Sequence, residues 1–131
     1  MKNLEYMLDV EQSINPQSSA AATVEGDSVS RQGAHQVMAI VGCGAATGSP
    51  TAQSCVFQVQ EYDGSTWSDV GDSVDLTTDD DEAVITVPSA YNAESTLRIE
   101  CTVSFTGGST PAQLIYGTLV LAELPSEPSS I

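Results

Sequence analysis

Nine of the eighteen acidic residues fall between Glu61 and Glu82, and four of them, Asp79-Asp80-Asp81-Glu82, are consecutive. Carboxylates at that density invite a calcium reading. An EF-hand loop needs acids at alternate positions, a central Gly and a late Glu, and four adjacent acids do not reproduce that spacing. Neighbours on extended backbone point to opposite faces, so the block would offer only about half its carboxylates to one ion. A solvated acidic turn is the expected state. Carboxylate pairs could also serve glycoside hydrolysis, but one Trp and four Tyr supply little surface to hold a sugar. His35 could be a general base only beside a nucleophile and an orienting acid, and no G-x-S-x-G elbow occurs. It is expected as a turn or surface histidine. No G-x-G-x-x-G and no phosphate-cradling lysine loop is present. The chain therefore reads as a non-enzyme that takes no cofactor and no metal.

Cys43, Cys55 and Cys101 match no metal-binding spacing, and one histidine cannot complete a zinc set. All three lie in apolar runs, as buried free thiols do in a chain made in a reducing compartment. Pairing of Cys43 with Cys55 across a hairpin under oxidising conditions is the alternative. The segment from Glu61 to Val70 holds an Asp63-Gly64 hairpin signal, with Trp67 opening the return strand. It is similar to the S-x-D-x-G-x-T-W hairpin of sialidase-like propellers. Here Asp and Gly are adjacent and the motif is single, so the propeller does not carry over. Trp67 is expected to anchor a core or an interface.

These residues must be positioned by strands. Leu97, Ile99, Cys101, Val103 and Phe105 alternate with Arg98, Glu100, Thr102 and Ser104, the pattern of a strand with one wet face. They are expected to form one row of the core. Leu4, Tyr6, Leu8 and Val10 alternate with acids in an opening run that Pro16 should stop, giving an edge strand or an extended arm. Residues 35–43 and 113–122 are apolar on both faces, which suits central strands covered on both sides, or strands at an interface. Residues 54–62 place Cys55, Phe57 and Val59 inward, and 83–87 form a short run ending at Pro88. Weaker strands are expected near 22–24 and 28–30. Turns are expected at 25–27, 44–50, 63–64, 71–72 and 106–109, with at most one helical turn near 89–93.

Seventeen Ser and twelve Thr with ten Gly favour strands and turns. Strands about ten residues apart with turn signals between them indicate an all-β fold, a single β-sandwich or jelly-roll-like domain. Residues 1–19 are expected as the N-terminal strand or arm with its linker, 20–124 as the sandwich and 125–131 as a short flexible tail. Lys2, Arg31 and Arg98 are the three bases, and the formal charge is −15. Such a chain has no basic patch with which to neutralise phosphates, which excludes nucleic acid and anionic membranes as partners. No run approaches the roughly 20 apolar residues of a membrane helix, and no signal-peptide pattern is visible, so a soluble, unexported chain is expected.

Four pieces, in this order, carry a likeness to a known family. They are Met1-Lys2-Asn3-Leu4 running into Ile14-Asn15-Pro16-Gln17; Val29-Ser30-Arg31-Gln32-Gly33 before an apolar strand; the segment Phe57 to Val70; and Leu97-Arg98-Ile99-Glu100-Cys101-Thr102-Val103 before the last long strand. In their order and spacing the chain resembles the small head decoration, or capsid cement, proteins of tailed bacteriophages. Members of that family are often less acidic and carry a basic aromatic turn where this chain has 89–95. The resemblance implies a structural virion protein, made in the host cytoplasm, that binds the major capsid protein on the outer capsid surface and stabilises the mature shell. It also implies a homo-oligomer, with a trimer favoured. Leu4, Tyr6, Leu8, Val10 and Trp67 are the expected capsid or subunit contacts. The alternative is a carbohydrate-binding or adhesin-like sandwich on the virion surface, using Trp67 with Tyr62 or Tyr91.

Overall fold

The computed structural model describes residues 8–31, 34, 36–87 and 96–122. Leu4, Tyr6, His35, the helical turn near 89–93 and the tail 125–131 lie outside the described residues, as does the side chain of Leu8. All regular structure among the described residues is β. In chain order the strands are β1 (Leu8–Ser19), β2 (Ala22–Glu25), β3 (Val29–Ser30), β4 (Gln36–Thr47), β5 (Ala52–Tyr62), β6 (Trp67–Leu76), β7 (Asp81–Val87), β8 (Thr96–Thr106) and β9 (Ala112–Ala122). They form two antiparallel sheets packed as a β-sandwich. The first has the order β1-β9-β4-β7, the second β2-β8-β5-β6, with β3 also on β8.

The pairings are nested. β5 pairs β6, β4 pairs β7, β2 and β3 pair β8, and β1 pairs β9. The chain is thus a long hairpin whose tip is the β5–β6 turn, rolled so that successive pairs fall in alternate sheets, which is the jelly-roll winding. At that tip the Asp63 carboxylate accepts the backbone N–H groups of Ser65 (2.8 Å) and Thr66 (2.9 Å). Those two bonds, Thr66 first, hold its pKa below the usual carboxylate range.

The core lies between the sheets. Val37, Ala39, Val41, Ile115, Leu119, Leu121, Ile85 and Val87 face Cys55, Phe57, Val59, Leu97, Ile99, Cys101 and Val103, all buried. Burial of these alternating faces, at about 1.5–3 kcal/mol per large side chain, is the main stabilising term. Phe105 ends the expected row, packed against the core but only partly buried. It pairs with Gln53 near the strand end. The three cysteines are free and buried. The neighbouring Cys55, together with burial, pushes the Cys101 thiol far above its ordinary range.

Three expected breaks are bridged. Pro16 does not stop β1, because the register shifts between Gln12 and Ile14 and again between Ile14 and Gln17, and a bulge on an edge strand needs no N–H from proline. Gly44 does not end β4, which shifts register between Cys43 and Ala46 and turns at Gly48–Ser49, both at positive φ. Gly71–Asp72 is a bulge within β6 rather than a turn. Gly71 takes φ +75°, and the Gln58 side-chain amide donates to the freed carbonyls of Val70 (3.1 Å) and Gly71 (3.2 Å).

Candidate functional site

The two outer faces of the sandwich differ in chemistry. On the second sheet the rows read Thr23–Thr102–Val56–Asp75, Glu25–Glu100–Gln58 and Arg98–Gln60–Asp69. The last row is one polar chain. Gln60 Nε2 donates to Asp69 (3.0 Å), Arg98 Nε donates to Gln60 Oε1 (2.9 Å), and Arg98 Nη2 pairs with Glu25 at 3.3 Å. Four strands are stitched by it.

Trp67 sits one row further, opposite Tyr62 with ring centroids 5.1 Å apart. The Arg98 guanidinium lies 4.1 Å from the centre of the indole ring and covers one face of it. A sugar platform needs an open aromatic face, and one face here is taken by a cation whose hydrogen bonds are made within the protein. Trp67 is a pin for the β5–β6 hairpin and β8.

The acids of 79–82 are exposed around a turn, as expected, and three of them make hydrogen bonds within the fold. Asp79 accepts the Ala46 N–H (3.1 Å) and the Gln53 amide, which lower its pKa, the Gln53 bond most. Asp81 accepts Thr78 Oγ1 and the Glu82 N–H, and Glu82 accepts the Tyr116 hydroxyl. Among the described residues no three His, Cys, Asp or Glu side chains are arranged to hold a metal ion.

The outer face of the first sheet is apolar. Its rows read Val10–Val120–Met38–Thr86, Gln12–Thr118–Ile40–Val84 and Tyr116–Gly42–Glu82, with Leu114 beyond. Val10 (62%), Val84 (58%), Leu114 (46%) and Met38 (38%) are the exposed large hydrophobic residues of the described chain, and all four lie here. The strands apolar on both faces, β4 and β9, are central, as expected; on their outer side Val120 is buried, whereas Met38 and Leu114 are exposed. Of the expected contact residues, Val10 belongs to this face, Leu8 is placed by its backbone at the end of it opposite Ala122, and Trp67 lies on the other sheet. Met38, Ile40, Val84, Leu114 and Val120 were not singled out. Their signal was the double apolarity of 35–43 and 113–122, for which an interface was one of the two readings.

Among the described residues the named rows of this face carry one carboxylate, Glu82, and it is engaged. The Tyr116 ring crosses Gly42 to reach it, and a Cβ on Gly42 would strike the Tyr116 hydroxyl and ring. The Glu82 bond, with some burial, pushes the Tyr116 pKa up to about 12. Because this lies above the unfolded value of about 10, the bond's contribution is complete below pH 10 and fades as pH rises towards 12. Ultraviolet difference titration should show one tyrosine ionising near pH 12. That phase should vanish in Tyr116→Phe and fall towards the ordinary range in Glu82→Gln. Its persistence in both would refute the pairing.

Arg31, read in the sequence only as one of three bases, is 1% exposed. Its Nε donates to the Ala34 carbonyl at 3.3 Å, while neither terminal nitrogen has a hydrogen-bond partner among the described residues. Burial lowers its pKa and the charge of Glu61 opposes that shift. No family model matches the chain, and no curated protein or solved structure matches it.

Proposed function

We propose that this chain is a non-enzymatic structural protein of a tailed-bacteriophage virion, which binds the major capsid protein on the outer shell and stabilises the mature head. The observation that carries the reading is the two-sidedness of the sandwich: an apolar sheet face, and opposite it a face bearing Glu25, Asp69, Asp75 and Glu100. A protein that sits on an assembly with one side buried and one side in water needs this division. The formal charge of −15 favours a position outside the shell, away from packaged DNA. The family resemblance points the same way, and jelly rolls recur in capsid proteins. They recur in lectins too, but the covered face of Trp67 gives the sugar-binding alternative no support.

Stabilisation would act by mass action, at about 2.7 kcal/mol per site when free protein stands at 100 times its dissociation constant. With so few bases the contact rests on apolar burial and not on attraction to acidic capsid. Attachment should therefore persist or strengthen between about 0.05 and 0.5 M salt, as screening removes repulsion between copies. Pelleting of undecorated heads from the phage that encodes the chain, with purified protein at both salt levels, measures this. No co-sedimentation at either level would sink the function, and release of folded protein at the higher one would sink the argument from charge.

A further inference from the structure

We infer that Arg31 is the centre of a buried binding site for one small monovalent anion, of the size of chloride or formate. The alternation of β3 continues into it: Val29 is buried, Ser30 exposed and Arg31 buried again, which carries the guanidinium inward beside the row Val29–Leu97–Glu61. At 1% exposure, Arg31 is the largest fully buried side chain among the described residues.

The side chain is fixed by one edge. The Ala34 N–H donates to the Arg31 carbonyl at 2.9 Å, and Arg31 Nε donates back to the Ala34 carbonyl at 3.3 Å. This exchange sets the plane of the guanidinium. Nη1 and Nη2, both buried, have no hydrogen-bond partner among the described residues. Their shared edge presents two roughly parallel N–H groups, a fork that takes a carboxylate through two bonds or a halide between them. A fork already held in place loses little freedom when an ion binds.

Charge decides between an ion and water. Burial lowers the pKa of Arg31, but a guanidinium keeps its proton at neutral pH even so. A full positive charge is therefore held out of water, which is costly without a counter-charge. The charge of Glu61 acts on it through space, yet Glu61 does not hydrogen-bond Nη1 or Nη2. Water could satisfy those N–H groups but not the charge. The ligand's class follows from the surroundings. Near-complete burial admits an ion and excludes a protein side chain or a polymer. With a single cation in the site, Glu61 within reach and a formal charge of −15 on the chain, a divalent anion is disfavoured. The bound ion would tie the turn after β3 to the end of the sandwich, so stability would rise with its concentration.

Arginine occurs twice in the chain, as Arg31 and Arg98, so the guanidinium nitrogen spectrum of the ¹⁵N-labelled protein holds two sets of signals, and Arg98→Lys assigns them. The protein is exchanged into sodium gluconate, whose anion is too large for the site, and chloride or formate then replaces gluconate up to about 0.2 M at constant ionic strength. The Arg31 signals should move along a saturating curve with each ion, and those of Arg98 should not. In urea, the unfolding constant of the wild type should fall roughly fivefold as chloride rises from one to ten times its Kd. Arg31→Met, which removes the charge and keeps an apolar stem, should lose that dependence. Arg31 signals unmoved by both ions would mean that water alone meets the fork, and would overturn the inference. A non-saturating drift shared with Arg98 would overturn it too, and saturation by sulfate would overturn the restriction to monovalent ions. The spectra are taken with Arg31 in place, so they decide the matter even if Arg31→Met does not fold, and no capsid is needed.

Discussion

Ile99→Ala should destabilise the protein by about 3–5 kcal/mol, the upper part of the range for deleting a large buried aliphatic side chain. Ile99 is fully buried on β8, and it reaches across the sandwich onto the backbone of Gly117 in β9. A Cβ built on Gly117 would lie 2.9 Å from the Ile99 Cδ1 atom. The cavity left by truncation is therefore walled by strand backbone, which cannot collapse as a flexible side chain can. Reciprocal rescue is the check. Gly117→Ala alone should be destabilising through overpacking, whereas in the Ile99→Ala background it should recover part of the loss. Phe105→Ala, on the same strand but half-buried, should cost less, and Thr102→Ala, on the wet face, no more than about 0.5–1 kcal/mol. Chemical denaturation of the four single variants and the double ranks them. If Thr102 outranked Ile99, the strand faces would be exchanged, as a one-residue register slip would produce.

That ranking could be foreseen largely from alternation, because a period of two reports directly which side of a strand is dry. The same signal locates Cys55, Phe57 and Val59 on the inner side of β5, whereas it is apolarity on both faces that points to β4 and β9 as central. Single residues read as punctuation were less informative. Pro16, Gly44 and Gly71 look like stops, yet each lies within a strand at or near a register irregularity. What keeps such a strand going is a partner far away in sequence, such as β9 for β1, or a side chain such as Gln58, whose amide meets the carbonyls freed at Gly71. Local sequence does not carry that information. The nesting of the pairs was equally hidden, since alternation defines faces but not neighbours.

The candidate face was half-legible for a related reason. A strand apolar on both sides is dry on both sides in its working state, but the sequence does not say whether the second cover comes from the same chain. Here Met38, on a central strand, is exposed and Ile40 half-buried, while Val120, between Met38 and Val10, is buried. The Trp67 hairpin shows the converse. Trp67 reads as an anchor for a core or an interface, with sugar binding as the alternative, and in the fold it lies against Tyr62 and under an Arg98 that lies thirty-one positions further along the chain. Ser13 gave no signal at all, being a small polar residue in an edge run, and it proves to be a main link between the sheets.

Gly26→Ala should cost about 3–5 kcal/mol, because it attacks that link at its tightest point. Ser13 is 2% exposed. Its hydroxyl accepts the Ile99 N–H at 2.9 Å and donates to the Asp27 carbonyl at 2.8 Å. The Asp27 N–H returns to the Ser13 carbonyl at 2.7 Å, and the Gly26 N–H donates to the Ile99 carbonyl at 2.8 Å. Edge strand β1 of one sheet is thereby tied to β8 of the other through the chain that follows β2. A Cβ on Gly26 would meet the Ser13 hydroxyl and stand 2.7 Å from the Ser13 carbonyl oxygen and 2.8 Å from that of Ile99. Two of these three atoms are backbone and cannot swing aside, so the link must open. Overpacking of this kind costs about 1–3 kcal/mol, and each buried group left unpaired adds about 1–3 kcal/mol. Ser13→Ala, which keeps the space but orphans the buried Ile99 N–H, should cost about 1–3 kcal/mol by the same reckoning. Because both substitutions break the same bonds, the double variant should lose less than the sum of the singles, by at least about 0.5 kcal/mol. Urea denaturation of the wild type and three variants closes the cycle. Strict additivity, or a Gly26→Ala chain as stable as wild type, would show that Ser13 and Gly26 do not share one link.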